Sequence, residues 1–382
     1  MKRSSDRILT THVGSLIRPA ALRAFLSAKE ASEPFDHAAY AKCLNDSVAE
    51  VVRKQADIGI DVISDGEFGK AISWAQYALF RLGGFKRRPF AGGNPFTRGV
   101  DRTRFAEFYA ELDSRDKVET VTDSVVVAPI TYTGQAELQQ DIDNFKAALR
   151  GVHVVEAFLP VAAPSSAIPD RKNEYYKSDD DLQQAIADAM HAEYKTIIDA
   201  GLLVQLDDAR AAVSYDRMVP PKSLTEYRAW LARQVEITNH AIKGLPREKI
   251  RYHVCWGSWP GPHSSDVPFK DIADLVLKVR AGGYSIELAN PRHEHEWRVW
   301  EHLKLPKDTI LIPGVISHAT NIVEHPQVVA DRIVRYAQVV GRENVIAGTD
   351  CGLGGRVHSQ IAWAKLEALA KGAELASKEL WR

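Results

Sequence analysis

His253 and Cys255 sit two residues apart and offer an imidazole and a thiol from one short apolar run. In an extended chain such neighbours project to the same face, about 6–7 Å apart along the strand, so both can reach one ion. The pair alone fits a buried cysteine beside a satisfied histidine equally well. Glu287 and Cys351, at the ends of two further apolar runs, add a carboxylate and a second thiol. Two thiolates, one imidazole and one carboxylate make a tetrahedral set suited to Zn2+, because sulfur and nitrogen ligands disfavour magnesium and calcium. The ligands come from three distant segments, unlike those of a zinc finger. Such a site is assembled by the fold, which is more typical of catalysis than of local stapling.

Two thiolates and a carboxylate bring three negative charges to a divalent cation. An ion so furnished is a poor source of hydroxide, but it can bind an incoming thiol and lower its pKa. The sulfur then keeps enough electron density to attack an alkyl carbon. One ligand must stretch or leave to admit the thiol, and Glu287 is the natural candidate.

Elements that could position these groups recur along the chain. Apolar, β-branched runs lie at 8–14, 61–64, 124–130, 152–159, 202–206, 250–254, 284–288, 309–315 and 345–348. Their near-continuous hydrophobicity suits strands buried on both faces of a parallel sheet. Helical patterns fall between them at 36–58, 179–200, 223–243, 269–281, 326–340 and 359–376, with Pro326 suited to a first turn and Gly341 to a helix end. Alternation at this length predicts an α/β fold, either a (β/α)8 barrel or an open doubly wound sheet. No GxGxxG follows the first strand and no GxxxxGK[ST] occurs, so the barrel is preferred. Nine runs leave one strand outside the ring.

The rim where strands end collects polar residues: Asp65 and Glu67, Asp207 and Asp208, His253 and Cys255, Glu287, and Asp350 with Cys351. In a parallel barrel these ends form the face that carries the active site. The stretch 81–117, which includes GGFKRRPFAGGNPFTRGVDRTRF, breaks the rhythm and shows no convincing buried strand. It reads as an insertion in a single barrel domain spanning 1–382, either a substrate lid or a surface insertion.

The 382 residues are 45% hydrophobic and 26% charged, enough for a large core, and 49 basic side chains balance 50 acidic ones. That balance gives no support for attraction to nucleic acid or membrane. The start, MKRSSDRILTTHVGS, lacks a signal-peptide core, no run reaches the ~20 apolar residues of a membrane span, and three cysteines cannot build a disulfide framework. A cytoplasmic setting is expected.

THVGS, ISDGE, QLDDA, HVCWG, SIELAN and TDCGL, in that order, resemble the catalytic barrel of cobalamin-independent methionine synthase and its shorter relatives, including archaeal core methionine synthases and epoxyalkane:coenzyme M transferase. The resemblance runs from about residue 8 to 353 and leaves out the basic insertion. It implies a uroporphyrinogen decarboxylase/methionine synthase-like (β/α)8 TIM barrel with a zinc that activates a thiol, held by His253, Cys255, Glu287 and Cys351. It further implies that Ser15 holds the thiol substrate's carboxylate and that Glu67 and Asp207 face its amino group.

Three departures stand out. The chain has no room for the second barrel that helps the long enzymes hold folate. In GVISHATN, Ser317 replaces the aspartate of the family's Asp-x-His, and His318, the candidate catalytic group here, falls one residue short of the histidine. The stretch 290–302, NPRHEHEWRVWEH, is unexplained by the resemblance; Arg292, His293 and His295 suit either an anion site or a salt-bridged loop.

Other candidates carry two readings. Glu67 and Asp207 are acceptor acids or strand-end acids bonded to arginines. His12 lines the rim or is a satisfied core histidine. Trp256 and Trp259 form an aromatic wall against a planar donor or pack the barrel. Cys43 is expected in a helix core, and the run Asp179, Asp180, Asp181 at a helix start. The expected activity is zinc-dependent alkyl transfer to homocysteine or a similar small thiol, from methyltetrahydrofolate or a methyl-corrinoid donor. A first alternative is thiol addition to another alkyl donor such as an epoxide, and one of another class is a zinc-free barrel binding a small acid.

Overall fold

The computed structural model describes residues 1–70, 74–89, 98–115, 122–167 and 172–382. Its strands are β1 (Leu9–Thr10), β2 (Val62–Ile63), β3 (Leu82–Pro89), β4 (Thr122–Tyr132), β5 (Glu156–Ala162), β6 (Leu203–Asp207), β7 (Ile250–Val254), β8 (Gly283–Ile286), β9 (Ile310–Ile316) and β10 (Ile346–Thr349). Eight of them pair in the order β1-β10-β9-β8-β7-β6-β5-β2. All of these pairings are parallel, and a parallel bridge between Thr11 and Val62 brings the last strand back to the first. The fold is a (β/α)8 barrel.

The strand left over is the run at 124–130, which lies in β4 and pairs antiparallel with β3 outside the ring. The stretch 81–117, read as having no convincing buried strand, does carry the strand β3, of which only Leu82 is buried among its described side chains. β3 was hidden because LGGFKRRP carries two glycines and three basic residues, a composition that suits a two-stranded ribbon and not a buried ring strand. The excursion from the barrel also extends through β4, beyond 117. Residues 90–97 and 116–117 of the expected insertion lie outside the described residues.

The outer layer holds α1 (Ala20–Glu30), α2 (His37–Asp57), α6 (Gln135–Ala148), α8 (Asp179–Asp199), α10 (Leu224–Ala241), α12 (Pro326–Val340) and α13 (Ser359–Leu380), with the shorter α3 (Trp74–Phe80), α4 (Val100–Arg104), α5 (Ala106–Arg115), α7 (Pro164–Ala167), α9 (Arg210–Met218) and α11 (Ala273–Val276) between them. Local chemistry sets their ends. Ser178 caps α8 by accepting from the Asp181 N–H, and Asp179 to Asp181 place negative charge where the helix dipole favours it. Ser223 and Glu226 form a reciprocal capping box at α10. Pro326 occupies the first turn of α12, and Gly341 at φ 89° ends it. Cys43 packs half-buried on α2. The helix expected at 269–281 is instead a 3-10 turn and a one-turn helix, Ala273–Val276.

Leu9, Ile310, Ile312 and Ile346 cluster inside one end of the ring, beside Val62, Phe158 and Leu203, and Met1 packs against both groups. These residues lie at or near the N-terminal ends of their strands. The polar strand ends therefore gather at the opposite mouth.

Candidate active site

His253 lies in β7, Cys255 just beyond it, and Cys351 just beyond β10. One ligand atom from each falls within 4.8 Å of the others, and the two sulfurs are 3.9 Å apart. His253 Nδ1 is bonded to Ser285 Oγ at 3.1 Å, whereas its Nε2 is buried with no hydrogen-bond partner. A buried imidazole nitrogen left bare beside two sulfurs is a donor set that fits a soft dication such as zinc. The sulfurs differ in acidity. Cys255 is pushed up by its hydrogen bond to Cys351 and by burial, while Cys351 is pulled well down by the same bond and by His253. Ser258 Oγ adds a 3.0 Å contact to the Cys351 sulfur.

Glu287, following β8, is fully buried next to this trio. Its Oε2 accepts from the Trp256 N–H at 2.8 Å and its Oε1 from Asn290 at 3.2 Å. It groups more closely with His318, after β9, and Asp350, after β10; ligand atoms of these three also lie within 4.8 Å of one another. Burial and the charges of Asp350 and Cys351 raise the Glu287 carboxyl well above its ordinary value. Asp350 Oδ1 accepts the N–H groups of Leu288 and Ala289, which fixes the turn that carries Glu287. His318 is buried, and its Nδ1 has no partner.

The acids named for the acceptor gather beside the trio. Asp207 is the register partner of His253 on the neighbouring strand and accepts from Gln205 at 2.9 Å. Burial raises its carboxyl to about 7, with Glu67 pushing the same way. Glu67 stands at φ 61°, a left-handed conformation imposed by the tight turn after β2, where its N–H donates to Asp65. Ser15 lies against the loop after Cys351, its carbonyl accepting from Leu353 and Gly354. Gly14 at φ 137° lets this segment approach closely: a Cβ there would meet the Pro160 ring at 2.6 Å and Glu67 Oε1 at 3.1 Å.

Two residues with open readings turn inward to the protein. His12 Nε2 is bonded to Gln55 Oε1 at 2.6 Å, its Nδ1 accepts from the Gly14 N–H, and burial lowers it to about 4. It is a satisfied core histidine that shapes the Gly14 turn, not a rim group. Trp256 is fully buried, donates to the Val267 carbonyl and stacks on His293 at 4.0 Å. The same two-residue period that joins His253 with Cys255 sends Trp256 to the other side, where it packs in the barrel. Trp259 is held in turn by His263, stacked at 4.6 Å, and by the Tyr109 hydroxyl.

In the 290–302 stretch, His293 bridges Asp266 (2.9 Å) and Glu296 (2.8 Å), and Asp266 also holds His263. This is the salt-bridged loop reading. Arg292 and His295 stay exposed, with Arg292 donating to the Ser264 carbonyl.

A contact not anticipated from sequence joins the excursion to the mouth. Asp101, in the short helix Val100–Arg104, is 5% exposed; it accepts from the hydroxyls of Ser264 and Ser265 and from the Ser264 N–H at 2.8 Å. Those serines belong to the loop that follows Cys255. The PHSSD stretch that carries Ser264 and Ser265 gave no distinctive signal for such a latch.

Among known proteins, the chain matches the family model described as the catalytic domain of cobalamin-independent synthase, over residues 8–85 and 107–375. The gap falls inside the excursion. The methionine synthase of Saccharolobus solfataricus is 24% identical over 377 residues, covering 98% of this chain and 96% of that protein. The methionine synthase of Thermococcus kodakarensis is 23% identical over 382 residues, covering 98% and 94%. A solved B12-independent methionine synthase from Shewanella sp. W3-18-1, in complex with selenomethionine, shares the fold with a TM-score of 0.73 at 20% identity, covering 98% of this chain and 99% of that one.

Proposed function

Because this chain belongs to the cobalamin-independent synthase catalytic-domain family, we propose that it is a zinc-dependent thiol methyltransferase, built as one barrel domain over 1–382, that methylates homocysteine or a similar small thiol. The observation that carries this reading is the convergence of His253, Cys255 and Cys351 within 4.8 Å, with the His253 Nε2 lone pair unused. These three residues and Glu287 are the proposed holders of zinc, whose role when bound is to make an incoming thiol ionise near neutral pH.

The remaining steps belong to side chains. Glu287 keeps a reserve position through its bonds to the Trp256 N–H and Asn290, so it can withdraw as the thiol arrives. Ser15 seats the acceptor's carboxylate, and Glu67 and Asp207 hold its ammonium. With the acceptor so fixed, its sulfur attacks the donor's methyl carbon in line; the new carbon–sulfur bond forms as the donor's bond to that methyl breaks and the donor leaves with the electron pair. His318, buried beside Cys351, is placed to give a proton to that leaving group. The expected donor is methyltetrahydrofolate or a methyl-corrinoid.

A second reading, thiol addition to an epoxide, draws on the same histidine. Such a reaction generates an alkoxide that needs an acid, and His318 stands just beyond β9, next to Ser317 where the family's Asp-x-His has its aspartate. The deciding assay offers zinc-loaded protein homocysteine with methyltetrahydrofolate or methylcobalamin. Methionine formation supports the first reading; bound zinc without methionine, but with thioether formed from an epoxide, supports the second. Metal-free protein that still binds a small acid would replace both with a zinc-free binding barrel.

A further inference from the structure

A buried lysine beside the acceptor acids takes no part in the steps above. Lys70, three residues beyond Glu67, is 5% exposed. Its Nζ donates to the Pro160 carbonyl and lies 4.6 Å from the Tyr77 ring centroid. A carbonyl and an aromatic face satisfy a donor, but neither neutralises a charge. Among the described residues Lys70 has no ion pair, whereas the buried cations Arg81 and Lys365 hold carboxylates directly. An ammonium out of water is costly unless an anion is near.

Its position says which anions it serves. Pro160 belongs to β5, the strand between β2 and β6. Those two strands lead into Asp65 and Glu67 on one side and Asp207 on the other. The Pro160 ring backs Gly14, and Gly14 leads into Ser15. Lys70 thus stands where the acid cluster meets the proposed carboxylate seat. Its charge works against the burial that raises Asp65 and Asp207, while Asp141 adds negative charge near Asp65 and His253 faces Asp207. Of the other nearby cations, Arg18 commits its Nη2 to the Glu67 carbonyl, and Arg251, which feels Asp207, donates to the Thr11 hydroxyl and the His12 carbonyl.

Three buried acids attract an ammonium but repel a carboxylate, and an amino-acid thiol carries both. We propose that Lys70 is the specificity-determining cation of the acceptor pocket, offsetting the repulsion from Asp65, Glu67 and Asp207 so that a carboxylate-bearing thiol can bind. This rests on the reading of the chain as a thiol alkyltransferase and adds the charge selection that the three acids alone cannot give.

Calorimetric titration of zinc-loaded wild-type protein, Lys70→Met, Lys70→Gln and Lys70→Arg with three probes tests it. The probes are homocysteine, mercaptobutanoate (no amine) and mercaptopropylamine (no carboxylate). Removing the charge should weaken homocysteine and mercaptobutanoate by at least roughly tenfold while leaving mercaptopropylamine unchanged or tighter, the pattern expected from one lost charge interaction in a low-dielectric pocket. Arginine should hold affinities within roughly threefold, since it keeps the charge. Equal weakening of all three probes by both neutral variants, or a loss with arginine as large as with methionine, overturns the proposal, because the effect would then be one of shape. Unchanged binding of all probes by the neutral variants overturns it alone. A wild-type protein that binds none of the three brings down the acceptor reading as well.

Discussion

The sulfurs of Cys255 and Cys351 lie 3.9 Å apart although 96 residues separate them in sequence. A buried thiol and a half-buried one so close, with a bare imidazole nitrogen beside them, suit a shared ion. Purified protein is expected to carry about one zinc per chain. Cys255→Ser and Cys351→Ser should each lose it together with activity, measured by elemental analysis against turnover, and full activity in chelated, metal-free protein would falsify the mechanism.

His318 separates donors whose leaving group needs a proton, methyltetrahydrofolate or an epoxide, from a methyl-corrinoid, which needs none. With His318→Gln, turnover should fall by roughly a hundredfold or more at unchanged zinc content and unchanged thiol affinity, as for a lost general acid. A donor whose leaving group needs no proton would show little change. Single-turnover rates with each donor, read beside thiol binding, distinguish these outcomes.

The pair formed by His293 with Asp266 and Glu296 ties the loops after β7 and β8 together, and it has a pH signature. Burial lowers His293, but the bonds to the two carboxylates outweigh it and hold it at about 9. A group raised on folding contributes stability that is complete below its unfolded value near 6.5 and fades as pH climbs through 9. Thermal stability should therefore decline between about pH 6.5 and 9 in wild type, by an amount on the order of 2 kcal/mol. The His293→Gln protein should start lower and show a flatter curve; parallel curves for the two proteins would remove the assignment.

Asp101 latches the excursion to Ser264 and Ser265 at the mouth. If the excursion is a lid over the donor, Asp101→Asn and deletion of 83–103 should both raise KM for the donor several-fold and leave thiol affinity in place. Steady-state kinetics unchanged in both variants would make the segment a surface insertion only.

Much of this arrangement was legible in the residues. Apolar runs that end in Asp65, Asp207, His253, Glu287 and Cys351 marked the ring and its polar mouth, because ring strands are buried on both faces and read as near-continuous apolar runs up to their ends. The surplus strand was also countable. What escaped had physical causes: β3 is a basic, glycine-bearing ribbon, and the 269–281 helix yields to a 3-10 turn where Glu296 takes the Phe269 N–H. Of the two readings of Trp256, packing of the barrel is the one that strand alternation favours, since it points the ring away from Cys255. Lys70 and Asp101 matter through partners remote in sequence, a relation that no local pattern encodes.

Met1 seated among Leu9, Ile310, Ile346 and Phe158 stoppers the far end of the stave ring. At the opposite mouth the loop after Cys255 meets the excursion through Asp101, Ser264 and Ser265. In the proposed reaction an acceptor held by the strand-end acids would sit beneath a donor held at the loops, so it would enter first and its methylated form leave last. Initial-rate patterns should accordingly be sequential and ordered, with the thiol leading.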